Sequence, residues 1–290
     1  MTLHSPLASP GATRDALRRW GLHTRKSLGQ HFLIDDRIIG KILDVADVHA
    51  GETIIEVGPG IGTLTLALLQ QHANIIAVEK DERLLPVLDS IGSDKLAIIN
   101  ADALEVRERD FPSGFAKPTK LVSNLPYEVA ATIALDYLQR FSSIESATVM
   151  VQREVADRIG AKPGGKDYGA YTVKLNLLAR PGSAFNVSRN CFMPPPHVDS
   201  TVIRLDRVTS LATALSRELY EASAQMANAA FFQRRKTVRN SMRAYYDANG
   251  MDTSVVDMVL RETGINPKSR GEVLGQDDFK ALGAALCALR

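Results

Sequence analysis

Short apolar runs rich in β-branched residues alternate with helical patterns through the first two thirds of the chain. The strand candidates are residues 53–57, 75–79, 96–100, 120–123, 147–152 and 201–205. Helical patterns at 63–70, 81–91 and 129–140 separate them. Continuous apolar runs are typical of strands buried on both faces, and strand–helix alternation is typical of a parallel sheet covered by helices. The pattern therefore predicts a doubly wound α/β sheet with its last strand, 201–205, at the sheet edge.

The strand pattern stops after Asp206. Helical patterns follow at 211–246, 252–263 and 277–289. We therefore predict a sheet domain over residues 21–206 and a small all-α domain over residues 207–290. The first twelve residues are rich in Ser, Pro, Gly and Ala, and we predict a flexible tail over residues 1–20.

Gly58 and Gly60 lie in a turn between the first strand and the first helix of this pattern. Glycine lets a ligand approach the backbone closely there, because no Cβ stands in the way. Glu79 ends the second strand, where a carboxylate can accept hydrogen bonds from both hydroxyls of a ribose. Asp102 follows the third strand, within reach of an adenine amino group. We predict a nucleoside site here, because ligands of parallel sheets bind at the carboxyl ends of the strands.

The nucleoside that suits this turn carries no phosphates. The dinucleotide fingerprint requires a glycine at its sixth position, where Thr63 stands in this chain. No cluster of lysine or arginine follows the turn to bind a pyrophosphate, and Pro59 removes one N–H donor. The turn therefore favours an adenosine, and a purely structural turn is the alternative interpretation of the glycines alone.

The fourth strand ends in the tetrapeptide Asn124-Leu125-Pro126-Tyr127. An exocyclic adenine amine is a poor nucleophile, because its lone pair is delocalised into the ring. The Asn124 amide oxygen and the Leu125 carbonyl can accept both of its N–H bonds, while Pro126 stiffens the turn that aims them. Tyr127 offers an aromatic face to a base extruded from RNA. This set favours alkylation of an adenine amine, and an ordinary Asn-x-Pro turn is the alternative.

Basic residues are concentrated locally, although the net charge is only +2. Residues 226–246 contain no acid and five basic side chains, namely Arg234, Arg235, Lys236, Arg239 and Arg243. In a helix, Arg235, Arg239 and Arg243 would recur on one face. Such a stripe suits the phosphates of folded RNA, and a solvated helix face is the alternative.

Composition argues against several other classes of protein. No segment has the roughly 18 uninterrupted apolar residues of a transmembrane helix, and residues 1–19 lack the apolar stretch of a secretory signal. Only two cysteines occur, Cys191 and Cys287, and the six histidines show no ligand spacing. We therefore expect no metal site, no membrane partner and a reducing, cytoplasmic compartment.

Together, the motifs resemble those of the ribosomal RNA adenine N6-dimethyltransferases, which use S-adenosylmethionine. The resemblance runs from about Lys26 to near the C-terminus. Besides the glycine turn and the tetrapeptide, it is carried by residues 26–33, 152–158, 168–169, 192–200, 233–237 and 266–274. The proline-rich segment 192–200 and the basic segment are most similar to those of the bacterial small-subunit members of this family.

The resemblance implies a mostly parallel, seven-stranded, Rossmann-like methyltransferase sheet followed by the small helical domain. The cofactor contacts that it implies are His31, Leu33, Gly58, Gly60, Glu79, Asp102 and Asn124. The contacts to the target adenine that it implies are Asn124, Leu125, Tyr127 and Phe192, with Phe192 closing a sandwich around the base. His31 stands where the family commonly has asparagine, so a contact through its side chain and one through its backbone are both open.

The reaction implied is dimethylation of two adjacent adenosines in the 3′-terminal hairpin of 16S rRNA, within an assembling small ribosomal subunit and by a monomer. Three alternatives stay open. The same chemistry on large-subunit RNA would confer antibiotic resistance. A noncatalytic assembly factor would bind the same partner without turnover. A nicotinamide oxidoreductase is disfavoured by Thr63.

Overall fold

The computed structural model describes residues 3–23, 30–208 and 215–290. The chain divides into two compact units, and neither unit is continuous in sequence. The first comprises Met1–Ala156 and Pro181–Arg207, and the second comprises Asp157–Arg180 and Val208–Arg290. The predicted boundary near Asp206 coincides with the end of the last strand, but the sequence did not indicate that residues 157–180 pack with the helical unit.

Nine strands are assigned in the described residues. They are β1 (Phe32–Leu33), β2 (Thr53–Val57), β3 (Asn74–Glu79), β4 (Leu96–Asn100), β5 (Lys120–Asn124), β6 (Ser146–Gln152), β7 (Ala179–Val187), β8 (Phe192–Met193) and β9 (Ser200–Arg207). Seven of them form one sheet in the order β4-β3-β2-β5-β6-β9-β7. The five strands from β4 to β6 are parallel, and β9 runs antiparallel to β6. The predicted mostly parallel, seven-stranded sheet is therefore confirmed.

One detail of the predicted sheet is wrong. The strand predicted at 201–205 is β9, which is sixth in the order of the sheet, and the edge strand beside it is β7. The sequence pattern did not reveal β7, because most of its residues are exposed and it has no apolar run. Pro181 and Gly182 within it are tolerated because an edge strand has one free hydrogen-bonding side.

The helices of the first unit are α1 (Pro10–Arg19), α2 (Asp36–Ala46), α3 (Thr63–Gln70), α4 (Leu85–Asp89), α5 (Ala130–Arg140) and α6 (Arg153–Ile159), the last of which continues into the second unit. The predicted helices at 63–70 and 129–140 are confirmed. The second predicted helix, 81–91, is instead a 3₁₀ turn at Glu82–Leu84 followed by α4. Every residue of β2 is buried. This burial on both faces explains why the strands read as continuous apolar runs.

The chain before the sheet is not the predicted flexible tail. Residues 10–19 form α1, which begins at Pro10 in the first helical position with Ser9 as N-cap. The Ser9 side chain accepts a hydrogen bond from the Ala12 N–H at 3.2 Å, and this is a strong helix-start signal. On the inner face of α1, Leu17 packs against a buried cluster that includes Phe32. Burial of that apolar face is what fixes the segment.

The second unit is helical. It contains α7 (Ala170–Asn176), α8 (Arg217–Phe231), α9 (Val238–Ala248), α10 (Ser254–Thr263) and α11 (Gln276–Ala288). Tyr168, Val173 and Leu177 join the core that α8 and α11 build. The helix predicted over 211–246 is two helices, because residues 232–237 form a turn, and residues 209–214 lie outside the described part of the chain. Among the described helices, none is both long and apolar enough to cross a bilayer.

Candidate active site

A cavity of about 230 Å³ lies at the carboxyl ends of β2, β3 and β5, in the first unit. These strands are neighbours and parallel, so the segments that follow them meet at one edge of the sheet. The predicted site residues in its wall are His31, Leu33, Gly58, Gly60, Glu79, Asp102, Asn124, Leu125 and Tyr127. The structure therefore brings together every predicted cofactor residue and three of the four predicted adenine contacts.

The glycine turn after β2 requires residues without a side chain. Gly58 has a φ of +68° and Gly60 a φ of +63°, in the left-handed region that disfavours other residues. A Cβ on Gly58 would lie 3.4 Å from the Pro126 ring, and one on Gly60 would lie 3.0 Å from the Phe32 ring. The glycines thus let the tetrapeptide at the end of β5 and strand β1 approach the turn closely.

Glu79, at the end of β3, joins two loops of the cavity wall. One of its carboxylate oxygens accepts the Gly60 N–H at 3.2 Å, and the other accepts the Asp81 N–H at 2.8 Å. Burial raises the pKa of Glu79, and the two backbone hydrogen bonds act in the opposite direction. Each carboxylate oxygen has a further lone pair, so Glu79 can still accept from a ligand hydroxyl.

Asp102 is an ionised acceptor. Its Oδ2 lies 2.8 Å from the Lys80 Nζ, and its Oδ1 accepts the Leu104 N–H at 3.0 Å. The hydrogen bond from Lys80 holds the pKa of Asp102 below its usual range, so the group is charged at neutral pH. A fixed carboxylate of this kind suits an amino group such as that of adenine.

Glu56 is a cavity residue to which the sequence interpretation gave no role. It lies within β2, and its side chain accepts a hydrogen bond from the Thr65 hydroxyl at 2.6 Å. Burial raises the pKa of Glu56 to about 8 from an ordinary value of 4.5, so the carboxyl is mostly protonated at neutral pH. The sequence feature that could have pointed to Glu56 is that it is the single acid in a strand whose other residues are Thr, Ile and Val.

Asn124 ends β5 with its side-chain amide fixed. Its Nδ2 donates to the backbone carbonyl of His31 at 3.2 Å. This leaves the amide oxygen as a free acceptor, since no described residue donates to it. The next peptide is held as well, because the Leu125 N–H donates to the Met150 carbonyl at 3.2 Å.

Tyr127 lies in the cavity wall, and Phe192 does not. The Tyr127 hydroxyl lies 2.6 Å from Ser200 Oγ, and burial raises the pKa of the phenol, which therefore stays protonated. Phe192 pairs with Leu33 in the antiparallel β1–β8 ribbon, and it is 2% exposed within an aliphatic core cluster. The Phe192 ring therefore lies in the core and not in the cavity wall, and its contact with the target base stays a prediction.

The predicted RNA-contacting residues lie in the second unit and do not form one helical stripe. Arg235 belongs to the turn at 232–237, whereas Arg239 and Arg243 lie on α9. Both α9 arginines pair with Asp257 of α10, at 2.7 Å and 2.9 Å. In the turn, Arg234 donates to the Lys166 carbonyl at 2.6 Å. The side chains of Arg235 and Lys236 are exposed and pair with no described residue.

The cavity wall has polar groups that fit a nucleoside ligand. The hydroxyl of Thr63 is buried there without a hydrogen-bond partner among the described residues, and a buried unpaired polar atom points to a missing partner. Glu79 and Asp102 add acceptors for hydroxyl and amino groups. No group of three or more metal-ligating side chains occurs in the part of the chain that is described.

The fold, the glycine turn and the cavity define an α/β methyltransferase. Residues 21–281 match the family described as "Ribosomal RNA adenine dimethylase". The chain therefore belongs to the ribosomal RNA adenine dimethylase family, whose chemistry is methylation of adenine in ribosomal RNA. Family and fold together imply a methyl donor of the S-adenosylmethionine type.

A curated relative supports this assignment, and two solved structures share the fold. The chain is 37% identical over 281 residues to the "Ribosomal RNA small subunit methyltransferase A" of Staphylococcus aureus (strain Newman). The aligned region covers 95% of this chain and 94% of that protein. A dimethyladenosine transferase from Plasmodium falciparum has the same fold, with a TM-score of 0.70 at 23% identity over 87% of this chain and 96% of that one. The 23S rRNA methyltransferase ErmE aligns with a TM-score of 0.62 at 25% identity, over 88% of this chain and 99% of that one.

Proposed function

We propose that this protein transfers methyl groups to N6 of two adjacent adenosines in the 3′-terminal hairpin of 16S rRNA, within an assembling small ribosomal subunit. The observation that carries the proposal is the fixed amide of Asn124. Its N–H is bound to the His31 carbonyl, and its oxygen is left at the wall of a cavity that also holds Glu79 and Asp102.

The acceptors at the end of β5 would activate the adenine amine. We assign one N–H of the amine to the Asn124 amide oxygen and the other to the Leu125 carbonyl. When both N–H bonds point at acceptors, the nitrogen lone pair is directed away from the purine ring and towards an electrophile. No strong base is required before the transfer, because the amine becomes acidic only once it is alkylated. The contribution of these residues is therefore orientation, which can account for a large part of a rate enhancement.

S-adenosylmethionine would supply a methyl group carried on a sulfonium sulfur. As the bond from the amine nitrogen to the methyl carbon forms, the sulfur would leave as a neutral thioether, so the transfer needs no metal and no covalent intermediate. We assign Glu79 to the ribose hydroxyls and Asp102 to the adenine amino group of the cofactor. His31, Leu33, Gly58, Gly60 and Asn124 complete the predicted contacts. The glycines would let the cofactor approach the backbone closely. Leu33 and the His31 backbone belong to residues 30–33, which line the cavity.

Basic residues of the turn at 232–237 and of α9 support an RNA substrate. We assign Arg234, Arg235, Lys236, Arg239 and Arg243 to phosphates, which give affinity without sequence information. Specificity for one hairpin would then come from RNA shape and from which adenine reaches Tyr127.

Small-subunit RNA is favoured over large-subunit RNA by identity. The small-subunit relative is 37% identical over 95% of this chain, against 25% over 88% for the 23S enzyme. A monomer working in the cytoplasm fits this substrate and the low cysteine content. The binding-only alternative is disfavoured by a complete set of acceptors at the cavity.

Methyl transfer to purified ribosomal subunits tests the proposal. Small and large subunits from cells that lack the modification are incubated with the protein and tritiated S-adenosylmethionine, and the labelled nucleotides are mapped by mass spectrometry. We expect two neighbouring adenosines of the small subunit to carry two methyl groups each. Label in the large subunit alone would support the antibiotic-resistance alternative, and tight binding without any label would support the assembly-factor alternative.

A further inference from the structure

Tyr127 is held at its tip by a buried serine. Its hydroxyl oxygen lies 2.6 Å from the Oγ of Ser200, the first residue of β9. Ser200 is 0% exposed, and its backbone pairs with Gln152 of β6. Because Ser200 is part of the sheet, the sheet fixes the position of the Tyr127 hydroxyl.

Tyr127 is also held on one face of its ring. The His31 imidazole stacks on it, with ring centroids 5.5 Å apart and planes 26° from parallel. The imidazole is anchored in turn, since its Nδ1 lies 2.7 Å from the Pro194 carbonyl oxygen. A carbonyl oxygen can only accept, so Nδ1 carries the proton, and the ring cannot flip without losing that bond.

We propose that His31 and Ser200 form a clamp that sets the plane of the Tyr127 ring, and thereby positions the target adenine. This inference rests on the proposed function. The base stacks on the face of Tyr127 opposite to His31, because the 5.5 Å separation leaves no room for a base between the two rings. His31 and Ser200 are positioning residues: they act through Tyr127.

The clamp and the acceptors at N6 meet in one residue. The His31 backbone carbonyl holds the Asn124 amide, while its side chain holds Tyr127. Tyr127 sets the height of a stacked base, and Asn124 marks where the base's amino group must lie. A tilt of the Tyr127 ring would therefore move N6 away from its acceptors, and a misplacement of about 1 Å is enough to cost as much as 100-fold in rate.

A double-mutant cycle between Ser200 and Tyr127 tests the first contact. Ser200→Ala and Tyr127→Phe each remove one hydroxyl of the pair, and Tyr127→Phe keeps the stacking ring. We expect Ser200→Ala to lower kcat about tenfold, with KM for the subunit and the Kd of S-adenosylmethionine changed less than about threefold. In the Tyr127→Phe background the same substitution should have no further effect, because its partner is already gone.

Thr201→Val is the matched control for Ser200→Ala. It also removes a hydroxyl from β9, but that hydroxyl pairs with Asn186 at 3.1 Å and does not contact Tyr127. We expect Thr201→Val to keep the wild-type kcat, and the thermal midpoints of both variants should be similar. If Ser200→Ala lowers kcat equally in both Tyr127 backgrounds, Ser200 does not act through Tyr127 and the clamp is refuted.

Two substitutions of His31 distinguish the stacking of its ring on Tyr127 from the hydrogen bond that the ring makes to Pro194. His31→Phe keeps an aromatic ring on Tyr127, whereas His31→Ala leaves its face open. We expect His31→Ala to lower kcat more than His31→Phe, with kcat of the phenylalanine variant partly restored towards wild type. Equal losses in the two variants would overturn the stacking role. Wild-type protein is assayed alongside: if it does not methylate adenosine N6, the proposed function fails, whereas an active wild type with additive or absent effects refutes the clamp alone.

Discussion

The side-chain amide of Asn124 is bound through its N–H group to the backbone carbonyl of His31, 3.2 Å away. An Asn side chain has one donor end and one acceptor end. Because the donor end is occupied, the acceptor end has a fixed direction before any substrate arrives. The segment 30–33, which lines the cavity, therefore also orients Asn124, the residue to which we assign the substrate amine.

We expect Asn124→Ala to lower methyl transfer by at least about 100-fold, the usual scale for loss of one preorganised hydrogen-bonding group at a reaction centre. RNA affinity should stay within about threefold of wild type, because the basic residues lie in the other unit. Methyl incorporation into small subunits and filter binding measure the two effects. Asn124→Asp is the control: it keeps acceptors but loses the donor to His31, so it should also be impaired. Wild-type turnover in the alanine variant would refute the assignment.

Glu56 should make stability depend on pH. Its pKa is about 8 in the folded protein, against an ordinary value of 4.5. Between these values the unfolded chain loses the proton that the folded chain keeps, so the free energy of unfolding falls as pH rises through this window and levels off above it. Glu56→Gln cannot titrate. Its unfolding free energy relative to wild type should therefore rise with pH.

Urea unfolding at several pH values from about 5 to 8 measures this difference. Glu218→Gln, which replaces an exposed carboxylate on α8, serves as the control and should run parallel to wild type. Parallel curves for Glu56→Gln and wild type would show that Glu56 ionises with an ordinary pKa.

The two groups of cations in the second unit should differ in RNA binding. Arg235 and Lys236 pair with no described residue, whereas Arg239 and Arg243 already neutralise part of their charge on Asp257. We expect Arg235→Ala with Lys236→Ala to weaken RNA binding more than Arg239→Ala with Arg243→Ala. Each lost phosphate contact should reduce the slope of log K against log salt by about 0.7 to 0.9. Equal slopes in all variants and wild type would remove these residues from the RNA interface.

Gly283 should be essential for packing within the helical unit. A Cβ at this position of α11 would lie 2.2 Å from Ser223 Oγ and 2.9 Å from Ser223 Cα, on α8. The backbone of α8 would have to move, and overpacking of this kind typically costs about 1–3 kcal/mol. We expect Gly283→Ala to lower the free energy of unfolding by that amount. Gly11→Ala on α1 is the control, because its Cβ would meet nothing within 4 Å; it should be neutral or slightly stabilising.

The sheet could be predicted from the sequence to within one or two residues for most strands. Strands such as β2 and β5 are buried on both faces, so their apolar runs are unambiguous. The edge strand β7 could not be predicted, because most of its residues are exposed and it has no apolar run. Helix α1 was not predicted, because the Ser, Pro, Gly and Ala content of the first twelve residues favoured a flexible tail. The helix-start signal, Ser9 followed by Pro10, was present in the sequence.

The cavity residues could be predicted because they follow parallel strands, which end at one edge. The interactions of individual side chains could not. Nothing in the sequence shows that His31 stacks on Tyr127, since the two residues are far apart in the chain. Spacing alone predicted one helical stripe that contains Arg235, Arg239 and Arg243. The structure shows that Arg235 lies in the turn at 232–237 and is therefore not on the same helix as the other two.

The order in which the polypeptide emerges during translation bears on the discontinuous helical unit. Residues 157–180, with Val173 and Leu177 in the shared core, are synthesised well before α8 and α11, against which they pack. The last strands of the sheet, β7 and β9, are made in between. A nascent chain must therefore hold an apolar segment without its partners until α11 has left the exit tunnel. A fragment that begins at residue 208 would expose the surface that this segment covers.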